Sequence, residues 1–347
     1  MKQPSSPLRV LSRPRSSEIG HDAVEMLELL GGPVCIVVPG RTAGRPRAIT
    51  TLLHGNEPSG AIAIHRFLRE GIEPLCELHL LVLSVEAALT PPRFSHRMRT
   101  GGADLNRCFG EEPAGAALPE RALAAAVIEY LGALEPEAMV DLHNTSGRGP
   151  AYSVSTSRGP EQLALTRLFA QRMIHTGLRL GTIMEATERR FPTVTVECGG
   201  AGDPASHELA FEGLCRFARV EELFAETTGS SVVQVIGDPV RIELVDGAAV
   251  VYATQPVARA ALTLPPDLDR HNFGVMRAGR AIGWLGSQGL SVLRAVGTEG
   301  NPALGDYFEA RGGELVPTRD LEPLMVTTDP EIAKSDCLFY LVPYSPM

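Results

Sequence analysis

The feature that most constrains this chain is a repeated pattern in its first two hundred or so residues. Short apolar, β-prone runs end on a histidine or an acid, and amphipathic stretches follow. Residues 48–53 lead into His54-Gly55-Asn56-Glu57, residues 137–142 into His143-Asn144, and residues 193–196 into Glu197-Cys198-Gly199-Gly200. Further buried strands are expected over 34–38 and 78–85. Helical spacing runs over 25–30, 61–68, 119–131, 161–176 and 204–225. Strands alternating with helices imply an α/β domain with a mixed, largely parallel sheet flanked by helices. The first twenty residues, with three prolines and many serines and arginines, read as a loose lead-in or an edge strand.

Beyond about Gly229 the character changes. Short β-prone pieces at 232–236, 240–245, 248–253, 292–296, 324–327 and 337–342 are separated by Gly/Pro turns, with no long helix. Two domains are therefore expected, residues 1–228 and a smaller β-rich domain over 229–347.

Composition removes several classes of function. The 347 residues carry 32 basic against 41 acidic side chains, a net charge of -9, which argues against a nucleic-acid partner. There is no run of eighteen apolar residues, so no membrane span is expected. Residues 1–20 lack the apolar core of a secretory signal. The six cysteines (35, 76, 108, 198, 215 and 337) are scattered with no C-x-x-C pair, as expected of reduced thiols in a cytoplasmic protein. Cys108 and Cys198 lie beside motifs and read as bystanders.

His54, Glu57, His143 and Glu197 all fall at or just after the C-terminal ends of expected strands. In an open α/β sheet that edge is where ligands bind, so residues distant in sequence meet there. Two imidazoles and a carboxylate form the His₂Glu set that leaves Zn²⁺ one open position, with Glu197 left over as a general base. Between them lies an irregular segment, 90–112, rich in arginine and glycine. Its Arg and Asn donors from 97 to 107 suit a developing oxyanion and a substrate carboxylate.

Each residue also has a plainer reading. His54 with Glu57 alone is what a turn histidine beside a solvated acid looks like, and a lone H-x-x-E decides nothing. His143 alone reads as a structural histidine, and Asn106 and Arg107 as braces of a long loop. Glu197 is harder to explain that way, because an acid ending a buried strand is costly unless paired. The remaining histidines (21, 65, 79, 96, 175, 207 and 271) read as structural or solvated, with His79 in the core or at an edge.

The motifs His54-Gly55-Asn56-Glu57-Pro58-Ser59-Gly60, Asp104-Leu105-Asn106-Arg107, Asp141-Leu142-His143 and Val196-Glu197 occur in the order of the succinylglutamate desuccinylase/aspartoacylase family. The sequence resembles that family, a branch of the zinc carboxypeptidase-like hydrolases, over roughly residues 48–200. The resemblance implies one Zn²⁺ per chain, with His54, Glu57 and His143 as its ligands. It implies Glu197 as the base that activates water and later protonates the leaving amine. Arg99, eight residues before Arg107, matches the arginine that polarises the scissile carbonyl, although Arg97 competes with it. Asn106 and Arg107 match the pair gripping a substrate carboxylate, and Asp104 matches the acid that orients a metal-bound histidine. A further arginine expected shortly before the catalytic glutamate has no clean counterpart in Arg189 or Arg190, which argues against aspartoacylase itself.

The function implied is zinc-dependent hydrolysis of the amide bond of an N-acyl amino acid or similar small amide. The same motifs leave open a carboxypeptidase acting on a peptide or γ-glutamyl chain, and a metal-stabilised binding protein without turnover. They also leave open the acyl group, another divalent ion in place of zinc, and the oligomeric state, a homo-oligomer included.

Overall fold

A computed structural model of the chain describes residues 6–110, 118–225 and 232–345. The expected junction at 228/229 and the end of the irregular segment, 111–112, lie outside the described residues. The chain divides into two compact units. The first comprises residues 1–144, 151–173 and 179–235, and the second 145–150, 174–178 and 236–347.

The first nine strands are β1 (Arg9–Ser12), β2 (Val34–Val38), β3 (Arg47–Thr51), β4 (Leu78–Val82), β5 (Met139–Thr145), β6 (Tyr152–Ser155), β7 (Arg172–His175), β8 (Thr193–Gly200) and β9 (Gln234–Gly237). They form one sheet in the order β1-β2-β4-β3-β5-β8-β6-β7-β9. β3 runs parallel to both β4 and β5, and β1 parallel to β2. The β2–β4 and β6–β8 pairs are antiparallel. The helices are α1 (Ala23–Leu30), α2 (Ser59–Arg69), α3 (Val85–Leu89), α4 (Pro119–Leu134), α5 (Pro160–Arg167), α6 (Ile183–Thr187) and α7 (Pro204–Arg219).

Both faces of the sheet are covered, which is why β3, β4 and β5 are buried along their whole length rather than at alternate positions. Ile49, Leu80 and Val140 pack with α1, α2 and α7, through Leu27, Phe67 and Leu214 among others. Their neighbours Ala48, Leu81 and Met139 point to the other face, where α4 lays down Leu123, Val127 and Leu131. Helix ends follow ordinary capping chemistry. Asp22 accepts from the Glu25 N–H at the start of α1, and Gly31 ends it in the left-handed region at φ 64°.

Two helices are shorter than their sequence pattern suggests. The run 161–176 stops as α5 at Arg167, and residues 172–175 join the sheet as β7, burying Met173 and Ile174. The run 204–225 stops at Arg219. There the buried Arg47 Nη1 donates to the carbonyls of Phe217 (2.7 Å) and Val220 (2.9 Å), satisfying groups that a longer helix would have bonded internally.

The second unit has its own core, built on Ile242, Leu262, Leu315, Phe339 and Leu341. Its strands are β10 (Val240–Leu244), β11 (Val250–Tyr252), β12 (Leu262–Leu264), β13 (Gly283–Leu285), β14 (Leu293–Val296), β15 (Phe308–Arg311), β16 (Glu314–Pro317), β17 (Leu321–Leu324) and β18 (Phe339–Pro343). They form a four-stranded sheet, β14-β10-β18-β17, and a five-stranded one, β11-β12-β13-β16-β15. Its α8 (Pro330–Ser335) has six residues. β12, β13, β15 and β16, of three or four residues each, lie outside the β-prone pieces expected from sequence.

The seat of α2 on the sheet leaves no room at Gly60. A Cβ there would lie 2.0 Å from Thr51 Oγ1 and 3.1 Å from Leu142 Cβ. Gly60→Ala is expected to destabilise the protein by about 1–3 kcal/mol through overpacking, read as a lower urea midpoint with unchanged slope.

Candidate metal centre

The turn between β3 and α2 presents His54 and Glu57. It is tight because Gly55 sits against α3, where a Cβ would lie 2.6 Å from both Ala87 Cβ and the Ala88 nitrogen. β5 presents Asp141 and His143 two residues apart, hence on one face of the strand. Two strands along the sheet, next to β5, β8 presents Glu197.

These elements bring His54, Glu57 and His143 together. One ligand atom from each lies within 4.8 Å of the others, and all three residues are buried. His54 Nδ1 is 2.7 Å from Glu57 Oε1, and His143 Nδ1 is 2.6 Å from Glu57 Oε2. The outer nitrogens are each held by an acid. His54 Nε2 is 3.0 Å from Asp104 Oδ1, and His143 Nε2 is 2.7 Å from Asp141 Oδ2. That arrangement fixes both ring orientations and turns both Nδ1 atoms inward, as the histidines of a metal site require.

Burial opposes charge at each of these groups, and the partners decide the outcome. Burial and Arg97 work against a proton on His54, but Glu57 and Asp104 outweigh them and raise its pKa. For His143, burial is outweighed by Asp141 and Glu57, and the pKa rises well above the usual imidazole range. The two imidazoles overcome burial at Glu57 and hold it below the carboxylate range. His54 and Arg97 do the same for Asp104. Glu197 goes the other way. Burial pushes it up to about 7, with Glu57 and Asp141 adding to the rise and the imidazoles opposing it. One of its oxygens, Oε2, is buried without a hydrogen-bond partner among the described residues.

Four buried or largely buried carboxylates (Glu57, Asp104, Asp141 and Glu197) thus face two imidazoles and the guanidinium groups of Arg97 and Arg107, both of which act on Asp104. Buried carboxylates are costly unless each is paired with a cation or a donor. The inward Nδ1 pair, the Glu57 carboxylate and the unpartnered Glu197 oxygen fit a small divalent cation of borderline softness.

The arginines divide. Arg97 donates from Nε to Asp104 Oδ2 (3.0 Å), and its Nη1 lies 3.9 Å from Glu57 Oε1. Its carbonyl accepts from the Gly55 N–H at 2.8 Å, tying the loop to the turn that carries His54. Arg99, favoured by its spacing from Arg107, instead donates to Glu120 Oε1 at 2.6 Å near the start of α4. Asn106 is buried, and its Oδ1 accepts from the Ile183 N–H at 3.1 Å, opening α6. Arg107 Nη1 donates to the Asn106 carbonyl and lies close enough to Asp104 to lower that acid further. Arg189 and Arg190 are exposed.

Sequence reasoning passed over Asp141 and Asn144. The D-x-H spacing on a strand was the available signal for Asp141, since it puts both side chains on one face. Asp141 is fully buried and also accepts from Thr50 Oγ1 at 2.6 Å. Asn144 clips three elements together. Its Oδ1 accepts from the Ser59 N–H, its Nδ2 donates to Ser59 Oγ and to the Gly199 carbonyl, and its backbone N–H reaches Glu57 Oε2 at 3.3 Å. Ser59 Oγ continues to His207 Nδ1 at 2.7 Å, so His207 is a bonded residue of this network. The two bystander thiols stay so: burial raises the Cys198 pKa, and Cys108 donates to the Asp104 carbonyl at 3.3 Å.

The model of the succinylglutamate desuccinylase/aspartoacylase catalytic domain matches residues 43–212. No curated protein matches the sequence. A succinylglutamate desuccinylase from Vibrio parahaemolyticus is similar in structure, at TM-score 0.56 and 14% identity over 89% of this chain and 85% of that one. So is a succinylglutamate desuccinylase/aspartoacylase from Rhodobacter sphaeroides, at TM-score 0.54 and 17% identity over 89% and 88%. Murine aminoacylase 3 gives TM-score 0.54 and 18% identity over 88% and 96%. At these identities the likeness is one of fold.

Asp141→Asn keeps the shape of the buried pocket but weakens the hold on His143. It is expected to lower affinity for a divalent cation by about 10–100-fold, measured by competition with a chromophoric chelator. Unchanged affinity would remove Asp141 from the support of the cluster.

Proposed function

Because the chain belongs to the succinylglutamate desuccinylase/aspartoacylase family of hydrolases, we propose that it is a zinc-dependent hydrolase of the amide bond in an N-acyl amino acid or similar small amide. The observation that carries this reading is the convergence of both inward Nδ1 atoms on Glu57, beside a buried Glu197 whose pKa is about 7. In this reading residues 1–228 form the hydrolase domain, the protein works in the cytoplasm, and its partner is a small molecule.

His54, Glu57 and His143 would hold one Zn²⁺, which when bound supplies Lewis acidity toward a carbonyl oxygen and toward water. The chain's own residues do the rest. Glu197, ionised, takes a proton from the attacking water as its oxygen adds to the amide carbon. The same carboxyl then gives that proton to the nitrogen as the C–N bond breaks, leaving a carboxylic acid and an amine. An acid with a pKa near neutrality suits both halves of this exchange.

The developing oxyanion needs a fixed positive donor. Arg97, paired with Asp104 and with Nη1 3.9 Å from Glu57 Oε1, is favoured for this role over Arg99, which is paired with Glu120. Arg107 and Asn106 form the pair that would meet a substrate carboxylate, with Asn106 Oδ1 anchored to α6.

Purified wild type is expected to carry about one zinc per chain and His143→Ala to carry none. A wild type that neither contains a metal nor gains stability on adding zinc would remove this function and leave a binding protein. Assay of acyl-amino acids beside short and γ-linked peptides distinguishes a deacylase from a carboxypeptidase.

Glu197→Gln should lower turnover by about 10²–10⁴-fold while retaining zinc, and near-normal turnover would dismiss it as the base. The base works ionised, so kcat/KM falls as pH drops through its pKa. A bound cation favours the carboxylate, which places that acid limb at or below about 7. Arg97→Ala should reduce kcat by about 10²-fold and Arg99→Ala much less. The reverse order would return the oxyanion role to Arg99.

A further inference from the structure

The second unit contains a cavity of about 540 Å³, lined by residues 247–249, 256–261, 263 and 284–288. That volume lies within the range of small-molecule clefts, about 300–1,000 Å³. It sits beside β11 and β12 at one edge of the five-stranded sheet.

Three observations describe what it would accept. Its lining residues are mainly small, the surface they turn to the cavity is more polar than apolar, and the chain's only tryptophan, Trp284, is half-buried there. Arg259 is the one charged residue in the lining; it is exposed and has no ion-pair partner among the described residues. The lining also offers little to a polyhydroxylated ligand: Thr263 Oγ1 already accepts from the Val257 N–H at 3.1 Å, leaving Ser287 and Gln288 as exposed polar side chains.

The walls are built in advance of any ligand. The Gly286 N–H donates to the Ala261 carbonyl at 2.9 Å, the Ala261 N–H to Ala249 at 2.9 Å, and the Ala260 N–H to Val257 at 3.2 Å. A Cβ on Gly286 would lie 2.5 Å from the Ala260 carbonyl oxygen, so this close approach depends on glycine. Arg259 is held in the left-handed region at φ 70°. Non-glycine residues rarely take that conformation, and it recurs at ligand clamps where the surroundings enforce it.

We propose that this cavity is a second small-molecule site, taking a monocarboxylate with a flat apolar body. The carboxylate pairs with the Arg259 guanidinium, whose planar fork matches it, and the body lies against the Trp284 indole. A single guanidinium suits one carboxylate rather than a polyphosphate.

Because Trp284 is the only tryptophan, its emission reports on this cavity. The full-length protein is titrated with phenylacetate and, as a neutral control, 2-phenylethanol. Phenylacetate is expected to give a saturable change in emission, with the alcohol at least tenfold weaker. Arg259→Gly suits the backbone at φ 70° and so keeps the fold, and it should weaken phenylacetate at least tenfold. His143→Ala should leave the titration unchanged. No saturable change in wild type, equal binding by Arg259→Gly, or loss of the signal in His143→Ala would each overturn the proposal. The last would locate the carboxylate at the His54–Glu57–His143 cluster instead.

Discussion

The first unit depends on one buried carboxylate, that of Glu57, held between two imidazoles that are themselves backed by acids. Concentrating so much charge below the surface is unfavourable unless every member is satisfied. The surrounding structure does this through apolar packing on both faces of the sheet, a glycine that lets α2 approach the sheet, and an asparagine that ties the Ser59 amide, the Gly199 carbonyl and Glu57 together. Glu197 stands apart because one of its oxygens has no such partner. A group left unsatisfied in an otherwise paired cluster is free to exchange a proton.

The sheet and the cluster were legible because both rest on short-range patterns. Apolar strands, a turn glycine and a polar residue at each strand exit are local features, and parallel topology brings those exits to one edge whatever the intervening lengths. His54, Glu57, His143 and Glu197 could therefore be named from sequence. What escaped depends on contacts between distant segments. The end of α7 is set in part by Arg47, 170 residues away from Phe217, and no helical pattern contains that information.

The arginines illustrate the same limit. Spacing from Arg107 favours Arg99, yet which guanidinium turns toward the cluster is decided by competing acids. Glu120, at the start of α4, takes Arg99, and Asp104 takes Arg97. Asp141 was legible in principle, since period-two geometry puts it beside His143, but its importance shows only once its bonds to both His143 and Thr50 are seen. In the second unit the short strands gave the composition of a β-rich domain without its sheet order.

The order of these residues along the chain bears on how the protein is made. His54 and Glu57 leave the ribosome together, but Asn144, which follows His143, comes 87 residues after Glu57. Until β5 has emerged and paired with β3, the growing chain offers a cation only two of the clustered donors. A small zinc module can fold around its ion during synthesis. The His54–Glu57–His143 cluster instead has to be assembled by the sheet, because His143 reaches Glu57 only where β5 lies beside β3.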